Sequence, residues 1–262
     1  MGSVSIGQTT SLPKDGTSRI SAAGVHDPDS AGLARFSPTN FSNLVLWLDG
    51  DDFDTITQLG GDISQWADKS PSKNNAVQTT GSAQPTFVRN GLHGKSIISF
   101  DGTSEFFTTN ALVLDPSTEF SIFAVAELTP SSLLRNIFSQ AGGTTTILGK
   151  RNNSNEITSR LDGPFIDGAV VSGAPQIYNL NHEITQPDNL LSIFTDGVLG
   201  VTTDVTLSSE TGIWVIGANQ QQNGGFMQRN LYEIIIYNRF LSESERKDVE
   251  QYLGANWGIT LG

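Results

Sequence analysis

From Phe41 onward the chain is written as short apolar or alternating runs, each soon cut by Gly, Asp, Asn or Pro. Such runs are too short for helices that bury a face, and no alternation of strand and helix patterns accompanies them, so an all-β sandwich is expected. Candidate strands are 43–48, 96–100, 105–109, 120–127, 135–140, 145–149, 156–161, 166–171, 189–195, 213–217 and 231–238. Asp101-Gly102, Asp162-Gly163, Asp167-Gly168 and Asp196-Gly197 offer the positive-φ dipeptides of tight turns. The last of these should join 191–196 to 198–203 in a hairpin. Phe120-Ser-Ile-Phe-Ala-Val-Ala is apolar on both faces, which calls for cover on both sides of its sheet.

One helix is expected, at the C-terminal end. Ser242 and Glu245 form a capping box, Glu243 and Glu245 suit the positive end of the helix, and Val249, Tyr252, Leu253 and Trp257 make an apolar stripe that Gly254 or Gly258 ends. Residues 1–40 read differently. They hold five glycines, a single aromatic (Phe36) and widely spaced apolar residues, too little to order the segment alone. An extended arm over 1–40, laid along a partner subunit, followed by one domain over 41–262 is the expected organisation.

Composition removes whole classes of function. The 262 residues include no Cys, so disulfide scaffolds, zinc ribbons and thiol nucleophiles are excluded. With 15 Lys+Arg against 27 Asp+Glu the formal charge is -12, and no basic cluster is present to attract nucleic acid or an anionic membrane. Ile234-Ile235-Ile236 is among the longest apolar stretches, far short of the ~20 residues that span a bilayer. The opening residues lack the basic and apolar regions of a secretory leader, so synthesis and use without export are expected.

Four stretches together resemble laminin-G-like domains of the concanavalin A-like lectin/glucanase superfamily. They are Leu46-Trp47-Leu48-Asp49; Trp66-Ala67-Asp68-Lys69-Ser70 with Asn74-Asn75-Ala76; Gln84–Phe87 through Gly94–Gly102; and Glu233–Glu245, with Tyr237-Asn238-Arg239 at its centre. The resemblance covers about residues 41–262 and implies a two-sheet antiparallel jelly roll. Members serve as lectins, protein-binding modules, hydrolase scaffolds and virion components, so the fold alone does not choose a task. After Asp68-Lys69-Ser70 the expected Gly is Pro71, which stiffens that turn.

Candidate chemistry is sparse. Glucanases of the superfamily carry Glu-x-Asp-x-Glu on one strand, and nothing here matches; Glu243 and Glu245 fall in the expected helix, where they diverge and cap. His182-Glu183 lacks the second His of a zinc-protease motif, since Gln186 stands in its place, and reads as a surface turn. The acidic loop Asp49, Asp51, Asp52 and Asp54 offers hard oxygen ligands to Ca²⁺ or is a solvated turn; it departs from the EF-hand template at Asp54 and Gly60. Asn219, Gln220, Gln221, Gln222 and Asn223 make either a glycan-contacting loop or a polar hairpin tip. Trp47, Trp66, Trp214 and Trp257 sit in apolar runs and read as core.

The expected protein is therefore not an enzyme and requires no cofactor, with Ca²⁺ the one metal admitted. The first reading is a virion structural protein on the particle surface, a capsid decoration or tail-fibre subunit assembled in the host cytoplasm. It would dock on other virion subunits through residues 1–40 as a homo-oligomer and present its jelly roll to host glycans. The alternative is a carbohydrate-binding lectin module of a bacterial surface or secreted protein, extracellular or at the cell surface. A glycoside hydrolase comes third.

Overall fold

The structure is a computed structural model that describes residues 36–109, 118–140, 146–161, 163–185, 188–205 and 213–262. Residues 1–35, the bulk of the expected arm, lie outside the described residues. Residues 36–40 pack with the domain: Tyr237 Oη donates to Pro38 O at 2.9 Å, and the Phe36 ring lies 5.2 Å from Phe41 and 5.8 Å from Tyr252.

Among the described residues nearly all of the regular structure is strand. In order come β1 (Leu44–Asp49), β2 (Ile56–Leu59), β3 (Asp62–Trp66), β4 (Ala76–Val77), β5 (Thr86–Leu92) and β6 (Lys95–Asp101). Then follow β7 (Phe107–Thr109), β8 (Phe120–Glu127), β9 (Arg135–Gln140), β10 (Thr146–Lys150), β11 (Glu156–Arg160) and β12 (Ile166–Val170). Last are β13 (Pro175–Thr185), β14 (Asp188–Thr195), β15 (Val198–Asp204), β16 (Trp214–Ile216), β17 (Gln228–Tyr237) and the helix α1 (Glu243–Trp257).

All pairings are antiparallel and fall into two layers. In the first, β17 pairs with β8 on one side and with both β1 and β6 on the other, β5 lies beyond β6, and the layer continues through β8, β13, β14 and β15. The second runs β2, β3, β4, β7, β16, β9, β10, β11, β12. Among the described residues a single pairing, Asp62 with Thr86, joins the two. Between them lies the main core, where Phe100 meets Phe107 edge-on at 6.1 Å, Trp66 approaches Phe107 at 6.3 Å and Phe138 stacks on Trp214 at 4.5 Å. Each fully buried side chain of this size contributes about 1.5–3 kcal/mol.

The doubly apolar β8 finds its explanation here. Phe120, Ile122, Ala124 and Ala126 face the main core, while Phe123 and Val125 face a second cluster with Ile235, Tyr237, Val249, Leu253 and Trp257. The helix covers the outer face of the first layer. It begins as the sequence predicts, with the Ser242–Glu245 capping box, and ends at Gly258 in the left-handed conformation, φ 70°. The hairpin at Asp196-Gly197 also forms, both residues at positive φ (52° and 84°). Asp167-Gly168 departs from its expected turn and lies inside β12. A Cβ on Gly168 would come within 2.9 Å of Ile157 and Ile193, so the glycine serves close packing.

Candidate functional site

The motifs that carry the family resemblance are occupied with holding the domain together. Asp68 Oδ1 accepts from the backbone N–H of Trp47 and Ser70, both at 2.8 Å, and Oδ2 accepts from Ser70 Oγ at 2.6 Å and Asn74 N at 2.7 Å. Asn74 Nδ2 donates to Val45 O and Asn75 Oδ1 accepts from Asp68 N, each at 3.0 Å. This knot fastens the 67–75 turn to β1. Glu233 on β17 is fully buried and accepts from Trp47 Nε1 (2.8 Å), Tyr252 Oη (2.9 Å), Trp257 Nε1 (2.7 Å) and Asn256 Nδ2 (3.1 Å), which ties α1 to the sheet.

Lysines pair with three of the four acids of the acidic loop. Lys69 Nζ lies 2.9 Å from Asp49 Oδ2 and 2.7 Å from Asp52 Oδ2, and Lys95 Nζ lies 2.7 Å from Asp51 Oδ2. Asp51 Oδ1 also accepts from Ser96 N at 2.8 Å. Asp54 belongs to the short 3₁₀ turn Phe53–Thr55 and is exposed. Burial would depress the Lys69 ammonium, but hydrogen bonds to Asp52 and Asp49 outweigh it and hold the group above its ordinary value. Two ammonium groups thus sit where a calcium ion would need the same oxygens, so this arrangement does not fit the ion. Among the described residues no group of three or more acids and histidines is disposed to hold a metal.

The amide loop joins β16 to β17. Asn219 Nδ2 donates to Asn223 Oδ1, and Asn223 N to Asn219 Oδ1, both at 3.0 Å, while Gln222 N donates to Asn219 O at 2.9 Å. Asn219 and Asn223 therefore close their own turn, with Gln222 at φ 58°. Gln221 is exposed, and Gln220 and Gln222 are half-buried. The structure brings neither this loop nor the acidic loop into the cleft described next.

That cleft follows from the size of α1. Its 15 residues, about 22 Å long, cover β17 and β8 and leave the outer face of β13, β14 and β15 open beside it. A groove of about 520 Å³ results. Register sets its floor: Asn181 stands opposite Ser192, which stands opposite Thr202, and Asn179, Phe194 and Leu199 form the next row. Glu183 lies one row further along the same face of β13. Arg246 of α1 lies over the Phe194 ring at 4.0 Å, and its Nη1 reaches both carboxylate oxygens of buried Glu250 at 2.5–2.6 Å. Lys247 Nζ meets Glu243 at 2.6 Å on the rim. Leu199, 52% exposed, and Phe240 add apolar surface.

Of these lining residues the sequence reading weighed only Glu183 and Glu243, and set them aside as part of a surface turn and as a helix cap. His182-Glu183, expected as a surface turn, is instead the middle of the 11-residue β13, with His182 buried beneath the sheet and Glu183 on the groove side. Alternation in Gln176–Ile184 is the signal that could have found it; the two asparagines, poor strand formers, mask it. Three of the four tryptophans are fully buried as expected, while Trp47 is half-buried under the Lys69 ammonium, 4.2 Å from its ring.

Comparison of the sequence with protein-family models and with curated proteins found no match. Solved structures do share the fold. Domain 4 of a GH43 extracellular arabinanase from Geobacillus stearothermophilus, in complex with arabinotriose, is 12% identical with a TM-score of 0.56, over 80% of this chain and 98% of that domain. A Trypanosoma rangeli sialidase in complex with sialic acid is 16% identical with a TM-score of 0.57, over 82% of this chain and 33% of that one. A botulinum neurotoxin serotype D/C binding domain is 12% identical with a TM-score of 0.51, over 83% and 53%. The chain spans about a third of the length of the sialidases it matches. At these identities the likeness is one of fold, an all-β sandwich.

Proposed function

We propose that residues 36–262 form a non-catalytic carbohydrate-binding module of the lectin-like jelly-roll type, with the groove beside α1 as its sugar site. The observation that carries this reading is the groove itself: a cleft of about 520 Å³ whose floor alternates an aromatic and aliphatic row, Phe194 and Leu199, with a hydrogen-bonding row, Asn181 and Ser192. Sugars present the same alternation, apolar C–H faces and hydroxyl edges, and the volume suits a ligand of one or two rings. The solved domain with arabinotriose, matched over nearly its whole length, supports the class.

Hydrolysis is the weaker reading of the same cleft. A glycosidase needs one carboxyl kept protonated near neutral pH. Of the two lining acids, Glu243 is exposed on the rim and its hydrogen bond from Lys247 holds it below the ordinary carboxylate range, the wrong direction for a proton donor. The virion reading, which docks through residues 1–40, gains no support from the described residues or from the comparisons.

Ser192→Trp tests the site, because residue 192 is half-exposed on the groove floor and an indole there fills the cleft without entering the core. Wild-type protein on a glycan array should bind a defined set of oligosaccharides, and Ser192→Trp should weaken that binding at least tenfold at unchanged Tm. An array without a single binder, or equal binding by the variant, would refute the assignment.

A further inference from the structure

The charges around the groove carry the reading one step further, to the class of sugar. Both cations that line it are already closed by carboxylates of the same helix: Arg246 Nη1 by both oxygens of Glu250, itself buried, and Lys247 by Glu243. Glu183 is different. Its carboxylate, half-exposed on β13, has no hydrogen bond or ion pair among the described residues. Two carboxylates, Glu183 and Glu243, thus line the cleft beside two cations, with buried Glu250 behind Arg246, in a chain whose formal charge is -12.

We infer that the groove selects neutral sugars and rejects acidic ones, with Glu183 accepting hydrogen bonds from a pair of neighbouring hydroxyls. The inference rests on the carbohydrate-binding reading above. A carboxylate offers two acceptor oxygens in one plane, a spacing that adjacent sugar hydroxyls can meet as donors. A sialic or uronic acid entering the same cleft would bring a further carboxylate beside Glu183 and Glu243. Among the described lining residues the cleft's two cations, Arg246 and Lys247, are already paired with Glu250 and Glu243, so like-charge repulsion and desolvation oppose it. Asn181, only 3% exposed, and Ser192, whose Oγ lies 2.8 Å from Thr202 Oγ1, supply the neighbouring uncharged donors and acceptors. Rejection therefore comes from the free acid and the closed ion pairs together.

Matched probes separate this inference from the one beneath it. Lactose and 3′-sialyllactose, and arabinotriose and trigalacturonate, are titrated calorimetrically into the 1–262 chain and into Glu183→Gln and Glu183→Ala. The neutral probe that binds should do so at least tenfold more tightly than its acidic counterpart. Glu183→Gln, which keeps one acceptor and the side-chain shape, should weaken it several-fold and Glu183→Ala at least tenfold, with Tm unchanged because residue 183 bears no packing load in the core. The preference for the neutral probe should also shrink in both variants. Tighter binding of the acidic probe, abolished by Ser192→Trp, would overturn the inference and leave the module intact. Neutral binding indifferent to both Glu183 variants would overturn it equally. Absence of binding by every sugar on the array removes the module reading and this inference with it.

Discussion

Glu233 gives the fold a pH signature that can be measured. Its carboxyl is fully enclosed where β17, β1 and α1 meet, and burial, reinforced by the nearby charge of Asp49, pushes it up to about 7 from an ordinary 4.5. The hydrogen bonds from Trp257, Trp47 and Tyr252 oppose that rise without cancelling it. A folded-state value above the unfolded one means that the folded chain holds its proton longer. The resulting stabilisation is complete below about pH 4.5 and is lost as the pH climbs through 7. The gap corresponds to about 3 kcal/mol, or a fall in Tm of roughly 6–12 °C for a domain of this size. Glu105 also titrates near 7, raised by burial and then by Asp101 and Asp62, but it is half-exposed and solvent screening discounts its share. Asp101 and Glu245, both depressed to about 2, act only below pH 4 and do not enter the window. Calorimetric melting of wild type, Glu233→Gln and Glu105→Gln between pH 4.5 and 8 should show the wild-type decline largely abolished in the first variant and largely retained in the second. A Glu233→Gln curve parallel to wild type would refute the reasoning and mean that the four donors keep the carboxylate ionised throughout.

Three other perturbations test parts of the same structure. Lys150 is buried with its ammonium held by the carbonyls of Ser131, Leu133, Arg151 and Ser154, so Lys150→Met should cost at least ~3 kcal/mol in urea unfolding and speed amide exchange around 131–133; unchanged stability would show that those loops are held otherwise. Millimolar Ca²⁺ should leave Tm where it is, because Lys69 and Lys95 already occupy Asp49, Asp51 and Asp52, and a rise of several degrees would restore the calcium reading of that loop. Gly168→Ala should destabilise by about 1–3 kcal/mol through its approach to Ile157 and Ile193, and a neutral result would mean that β12 can move away from β14.

What the sequence discloses and what it hides divide along a physical line. Where the code is local, it reads through: the Ser242–Glu245 box starts the helix, Asp196-Gly197 makes the hairpin, and the doubly apolar β8 is covered on both faces. The candidate sites were sought in the same local way, as runs of one chemistry, and that is why they miss the groove. Four aspartates in six residues look like a metal loop until Lys69 and Lys95, 15 or more positions away in sequence, are seen to pair with three of them. Conversely Glu183, Ser192, Leu199 and Arg246 come from three strands and a helix, and none stands in a pattern with another. They meet because one 15-residue helix is too short to cover the outer face of an eight-strand layer, and that uncovered width is a property of how lengths add up in three dimensions. In β13 the hiding is direct. Asn179 and Asn181 lower its strand propensity and are there because their face meets polar surroundings: Asn179 Nδ2 reaches Ile122 O and Asn181 Oδ1, while Asn181 lines the cleft. The residues that make the strand hardest to read as a strand are thus those that give the outer face its polar row, and a site built on such a strand surfaces only when the register is known.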